Sequence, residues 1–317
     1  MARSVSLGSL RKAVRRDAAI SSSTLDESTM RSSAGFGSKM SFRFPGPAVS
    51  DCGVTTIRGV DFAFDRVGTG STFVWGHGLK SSRRIEDESG RIDWSVVRQV
   101  ADVLRYDARG HGASGFTDDP AGYGWDQLAL DQLALCDHLG IRQAIVGGAS
   151  MGAGTALHVA VHSPERVRAL VLMIPPTAWD TRAGQVDLYR QQADIVETSG
   201  VEPLIAANAD VDPPAPFLDD VRLWKDRHAA LLRAADPIRL VGVSRGAAVA
   251  DLPTPEAVAA VDCPTLILAW AGDPGHPVST AERLGELITD STVSIASTST
   301  EVAIWTSRIV DFLRAQQ

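Results

Sequence analysis

Ala144-Ile145-Val146-Gly147-Gly148-Ala149-Ser150-Met151-Gly152-Ala153-Gly154 decides how this chain is read. An apolar run of strand length passes into Gly148-x-Ser150-x-Gly152 and continues as a helix over 151–162. A serine on so sharp a strand-to-helix turn sits in a strained backbone conformation with its hydroxyl above the sheet. Small residues two before and two after it let strand and helix approach closely enough to make the turn. The helix N-terminus then faces any negative charge that develops on a substrate bound to the hydroxyl. As a bare pattern the motif also fits a plain glycine-rich turn. Its strand–turn–helix setting makes Ser150 a candidate nucleophile.

Outward from the elbow, strands and helices alternate. Phe62 and Phe64, flanked by Asp61 and Asp65, have the period of a half-buried strand. Residues 72–75, 103–106, 144–147, 168–174, 265–270 and 292–296 read as further strands. Helices are predicted over 94–100, 124–139 (closed by Gly140), 151–162, 279–288 and at the C-terminal end. This alternation implies a mostly parallel sheet covered by helices on both faces. Residues 178–256 break the rhythm: they are helical in pattern, interrupted by prolines, and carry no strong strand. They read as a lid over the strand ends, where open α/β sheets bind ligands. The expected organisation is therefore an N-terminal extension (1–50), a core (51–177 and 257–317) and a helical lid (178–256). Residues 1–50 are rich in Ser, Arg, Ala and Gly without apolar periodicity, which predicts disorder. Arg11-Lys12-Ala13-Val14-Arg15-Arg16 allows a transit peptide, although Asp17, Asp26 and Glu27 argue against one. A non-native extension, with Met40 as an alternative start, fits equally.

Composition narrows the function classes. With 44 % hydrophobic residues among 317, the chain can bury a substantial core. A net charge of −7 without a basic run in the folded part argues against nucleic acid as a partner. No apolar run approaches the ~20 residues of a membrane span. Cys52, Cys136 and Cys263 are far apart and odd in number, so they suggest neither a zinc site nor a disulfide framework, and a reducing cytoplasm is the expected compartment. Nothing calls for a metal or organic cofactor.

Three further segments carry chemistry. Trp75-Gly76-His77-Gly78-Leu79 follows the 72–75 strand, and Tyr106-Asp107-Ala108-Arg109-Gly110-His111-Gly112-Ala113-Ser114-Gly115 follows the next. Ala271-Gly272-Asp273-Pro274-Gly275-His276-Pro277 follows the strand ending at Trp270. Together with the elbow, these segments resemble the α/β-hydrolase family over about residues 54–315. The resemblance implies an eight-stranded, mostly parallel sheet with helices on both faces, and a helical lid. It also implies that the backbone N–H groups of Leu79 and Met151 act as oxyanion donors, with Asp273 as the triad acid. His77 is expected to hold its loop, and Asp107 and Arg109 to bond the backbone of theirs. Asp273 also fits an ordinary turn aspartate before proline.

The pattern breaks at the base. The family order Ser…Asp…His implies a histidine after the last strand, yet no histidine occurs in 277–317. Thr298 and Glu301 stand there with the spacing of a capping box, before a helix with Val302, Trp305, Ile309 and Phe312 on its buried face. Of the other histidines, His158 and His162 lie on the helix behind the nucleophile. His138 ends a surface helix, His111 is in the glycine loop, and His228 is expected to be solvated in the lid. His276 alone follows the acid at the rim of the strand ends. It could approach Ser150 as the base, or simply pack before Pro277.

The leading expectation is a cofactor-free serine hydrolase acting on a small ester, lactone or similar acyl substrate. Ser150 would be nucleophile, Asp273 acid and His276 base. Two alternatives share the fold: a catalytically silent ligand-binding protein, supported by the missing late histidine, and a non-hydrolytic lyase or perhydrolase. Trp179, Tyr189, Phe217 and Trp224 suggest an apolar pocket.

Overall fold

A computed structural model describes residues 49–317. Its strands are β1 (Val49–Ile57), β2 (Val60–Gly68), β3 (Thr72–Gly76), β4 (Asp102–Tyr106), β5 (Ala144–Ala149), β6 (Val167–Met173), β7 (Thr265–Trp270) and β8 (Ser291–Ala296). They form one eight-stranded sheet in the order β1-β2-β4-β3-β5-β6-β7-β8. β2 runs antiparallel to both β1 and β4, and every other pairing is parallel. The helices between them are α1 (Arg83–Ser89), α2 (Trp94–Val97), α3 (Trp125–His138), α4 (Met151–His162), α5 (Arg182–Ser199) and α6 (Val201–Ala207). α7 (Val221–Ala234), α8 (Pro237–Ala247), α9 (Pro255–Ala259), α10 (Val278–Leu287), α11 (Ser299–Ala303) and α12 (Trp305–Ala315) follow.

The central strands read as unbroken apolar runs because both of their faces are buried. Side chains alternate across a strand. Val74, Leu104, Val146, Leu170 and Ile267 therefore join one core with Leu128 and Leu135 of α3, Leu157 of α4 and Leu284 of α10. Their neighbours Phe73, Val103, Ile145, Val171 and Leu268 join the opposite core with Trp94 of α2, and Trp305 and Ile309 of α12. Each fully buried side chain of this kind contributes about 1.5–3 kcal/mol. The helical block α5–α9 is inserted between β6 and β7 and has a small core of its own around Val196, Leu204, Leu232 and Leu240.

Several boundaries differ from expectation for local reasons. β1 begins at Val49, two residues inside the stretch that composition set apart. The disorder and targeting readings of 1–48 lie outside the described residues. The helix expected over 94–100 ends at Val97 and continues as turns. α1 has half-buried residues but none fully buried, and Ile85 is its one apolar side chain, so periodicity had no apolar stripe to find. It is defined by Ser82, whose side chain accepts from the Ile85 amide, and by Gly90 in the left-handed region. The C-terminal helix breaks at Ile304, and Leu313 takes the core position expected of Phe312, which is half-buried. Among the described residues no helix is long and apolar enough to cross a membrane.

Candidate active site

Ser150 has φ 51° and ψ −111°, a backbone conformation that a residue with a Cβ adopts only where its surroundings enforce it. Its amide donates to the Met173 carbonyl of β6 at 2.9 Å, and its carbonyl accepts from Gly154 at 3.0 Å, opening α4. The glycine at 152 is sterically required: a Cβ there would lie 2.0 Å from the Gly76 carbonyl oxygen. The start of α4 thus presses on the end of β3, which brings the 76–79 loop alongside the elbow. A Cβ at Gly78 would lie 3.7 Å from Ser150 Cβ. Leu79 and Met151, the expected oxyanion residues, therefore belong to the two segments flanking the hydroxyl. Met151 is the first residue of α4, and first-turn amides have no intrahelical acceptor.

The neighbouring loops are tied down by their polar residues. His77 Nε2 accepts from the Ala108 amide at 3.0 Å, so Nδ1 carries the proton and donates to the Gly78 carbonyl at 2.8 Å. Burial lowers the pKa of His77, which keeps this bridge neutral. Asp107 accepts from the Arg83 and Ala113 amides at 2.8 and 3.0 Å. Arg109 departs from expectation. Instead of bonding its loop backbone, it forms a buried two-pronged pair with Asp131 of α3, at 2.9 and 2.7 Å. A buried guanidinium requires a counter-charge, and the carboxylate supplies it.

The decisive geometry lies in the turn after β7. Asp273-Pro274-Gly275-His276 forms a tight turn, closed by the His276 amide donating to the Asp273 carbonyl at 3.1 Å. Asp at the first position and Pro at the second suit such a turn. The turn puts a carboxylate and an imidazole three residues apart on one side. Asp273 Oδ2 accepts from His276 Nδ1 at 2.8 Å and from Trp270 Nε1 at 2.8 Å, and Oδ1 accepts from the Gly275 amide at 2.9 Å. A carboxylate only accepts, so Nδ1 is protonated and Nε2 is free to accept. Nε2 lies 2.8 Å from Ser150 Oγ. Burial alone would raise the Asp273 pKa, but the hydrogen bonds and charge of His276, with Trp270 and Gly275, hold it down at about 2. The His276 and Asp273 side chains are 23 % and 16 % exposed, and Ser150 is 8 % exposed. The structure thus brings together Ser150, His276 and Asp273.

His138, His158, His111 and His228 have different neighbours. His158 Nε2 bonds the Asp251 carbonyl at 2.9 Å, and His138 bonds Thr55 at 3.0 Å. His111 is buried with Nδ1 on the Arg109 carbonyl at 2.9 Å, and burial pushes its pKa down to about 3. His228 corrects the sequence reading. It is half-buried rather than solvated, stacks on Trp224 at 5.4 Å with near-parallel rings, and has its pKa lowered by burial. The loop after β8, where the base was sought, is occupied by the capping box. Glu301 accepts from the Ser297 and Thr298 amides at 2.7 and 3.0 Å.

Two positioning features escaped sequence reading. Trp270 was read only as the end of a strand. Its ring stacks on Trp305 at 5.8 Å and meets Phe217 edge-on at 5.4 Å, which aims the indole N–H at Asp273. The Thr177 amide after β6 donates to the Gly275 carbonyl at 3.0 Å, fixing the turn. An indole three residues before an aspartate at a strand end was the available signal. Strain also gathers at this end of the sheet: Lys80, Ser150 and Ile174, following β3, β5 and β6, all have positive φ. Among the described residues no group of three or more His, Cys, Asp or Glu side chains could hold a metal ion.

Comparison with known proteins agrees with this architecture. The family model described as alpha/beta hydrolase fold matches residues 77–196. The 3-oxoadipate enol-lactonase 2 of Acinetobacter baylyi is 31 % identical over 197 residues, covering 62 % of this chain and 71 % of that protein. The chain belongs to the α/β-hydrolase family. A hydrolase from Pseudomonas aeruginosa superposes with a TM-score of 0.69 at 22 % identity, over 84 % of this chain and 98 % of the other. The enol-lactonase from Burkholderia xenovorans gives 0.67 at 20 %, over 83 % and 97 %. At those identities the structural likeness speaks to the fold.

Proposed function

We propose that this protein is a serine hydrolase cleaving a small ester or lactone through an acyl-enzyme. The observation that carries the reading is the unbroken hydrogen-bond path from Ser150 Oγ through His276 to Asp273, with 2.8 Å at each step. Ser150 Oγ attacks the substrate carbonyl while His276 Nε2 takes its proton. The new oxygen–carbon bond pushes the carbonyl electron pair onto the oxygen, which the Leu79 and Met151 amides receive. Collapse of this intermediate breaks the bond to the leaving oxygen, which takes the proton from His276. Water, deprotonated by the same imidazole, then attacks the acyl carbon; the bond to Ser150 Oγ breaks, Oγ takes the proton back from His276, and the acid is released. Asp273 holds Nδ1–H and stabilises the imidazolium formed at each attack. The α5–α9 insertion serves as the lid. The reading as a silent binding protein drew on the missing late histidine, and the position of His276 beside Ser150 supports the enzyme reading over it. The name of the enol-lactonase relative supports a lactone or ester over other acyl compounds.

A fluorophosphonate probe is expected to label the wild type between about pH 6 and 9, around and above the ordinary imidazole range, and Ser150→Ala is expected to abolish labelling. A wild type that resists the probe throughout that range has no activated serine, which would overturn the proposal.

A further inference from the structure

Immediately beyond the loop that flanks Ser150 stands Lys80, and three observations single it out. It occupies the tip of a tight turn closed by the Ser81 amide on the Gly78 carbonyl at 3.1 Å, with φ 61°. Glycine is the default residue in that conformation, so a lysine there carries strain that its side chain must justify. Its side chain is held by the helical insertion: the ammonium donates to Gln192 Oε1 of α5 and lies 5.9 Å from the centre of the Tyr189 ring. Both partners are neutral, and among the described residues the ammonium has no carboxylate partner.

A second cation shares the Tyr189 ring with Lys80. Arg182 stacks between Trp125 and Tyr189, 4.5 and 5.4 Å from their ring centres, with its N–H groups on the Ala250 and Ala247 carbonyls. The acid that approaches the site, Asp273, already accepts three hydrogen bonds. Burial pulls the Lys80 pKa down to about 8.

We infer that Lys80 is a specificity-determining residue that receives an anionic carboxylate on the substrate, with Gln192 holding the ammonium until that carboxylate displaces it. This deepens the hydrolase reading and rests on it for the word substrate. The substrate class becomes an ester or lactone whose acyl part carries a carboxylate. The ammonium meets an opposite charge in a carboxylate but only a neutral acceptor in the Gln192 oxygen, so exchange is favourable.

The test compares a matched pair, 4-nitrophenyl hexanoate and the 4-nitrophenyl monoester of adipic acid, in wild type, Lys80→Met and Lys80→Arg. Taking the ratio of kcat/KM for the two esters within each variant cancels any disturbance of the adjacent Leu79 amide. Wild type is expected to favour the acidic ester. Lys80→Met should lower that preference by about tenfold or more, the scale of one charge-assisted hydrogen bond, mainly through KM, and Lys80→Arg should keep most of it. An unchanged ratio in Lys80→Met, or a wild type that favours hexanoate, would overturn the inference while leaving the hydrolase reading intact. If neither ester turns over and the probe fails to label Ser150, the hydrolase reading falls instead. Adipate titrated by calorimetry then decides the anion site by itself: binding to wild type weakened tenfold in Lys80→Met supports it, and equal or absent binding overturns it.

Discussion

Replacing Asp273 by asparagine tests the compact acid–base turn. The carboxylate accepts at both oxygens: Oδ2 from Trp270 Nε1 and His276 Nδ1, and Oδ1 from the Gly275 amide, at 2.8–2.9 Å. An amide has one oxygen. If it faces Trp270 and His276, its NH2 meets the Gly275 N–H, and one buried donor goes unpaired at about 1–3 kcal/mol. If it faces Gly275, its NH2 confronts two N–H donors. The imidazole can relieve that conflict by moving its proton to Nε2. That tautomer directs an N–H at Ser150 Oγ, 2.8 Å away, and can no longer take the hydroxyl proton. Loss of the correct tautomer in a triad of this kind costs about 10⁴ in kcat. The expected result is a folded Asp273→Asn protein with kcat on 4-nitrophenyl butyrate down by about 10⁴, and His276→Ala lower still. Circular dichroism controls for folding. Either variant keeping more than about a tenth of wild-type kcat while folded would refute the assignment and place the base elsewhere.

Gly152→Ala weighs two opposed effects: alanine in a helix gains about 1 kcal/mol over glycine, but its Cβ would sit 2.0 Å from the Gly76 carbonyl oxygen, a backbone atom that cannot rotate away. The clash wins, and a loss on the order of 3 kcal/mol should appear in denaturant melts; an unchanged or higher midpoint would contradict the close approach. Glu86 accepts from Trp75 Nε1 at 3.0 Å, and burial pushes its pKa up from 4.5 to about 7. Between those values the folded state binds the extra proton, so stability falls as pH rises from about 4.5 to 7, by on the order of 1–3 kcal/mol. Comparing urea unfolding of wild type and Glu86→Gln across that range should show a flatter profile in the variant, and parallel profiles would refute the assignment.

Much of this architecture is legible in the chain because local rules act over short distances. The elbow at 148–152 announces itself by an apolar run, a serine and flanking glycines, and its strain follows from the turn they make. Central strands could be read because both faces are buried; α1 could not, because RRIEDES offers no apolar stripe. Thr298 and Glu301 form the capping box their spacing implied, since it needs only residues three apart. The same local logic misplaced Arg109, whose partner Asp131 lies 22 residues on, and His228, which is half-buried and lies near the charge of Lys80 from the loop after β3.

By itself the sequence determined the strand–helix alternation, the sharp turn at Ser150 and a Gly-Asp turn at the end of β7. It left His276 between two readings, catalytic or merely packed. Only the tertiary structure sets His276 beside Ser150, by laying β6 between β5 and β7 so that the turn after β7 faces the elbow after β5. The physical reason is the separation along the chain. Ser150 and His276 are 126 residues apart, and their 2.8 Å contact is set by strand order and by the Thr177 tether, neither of which any local pattern encodes.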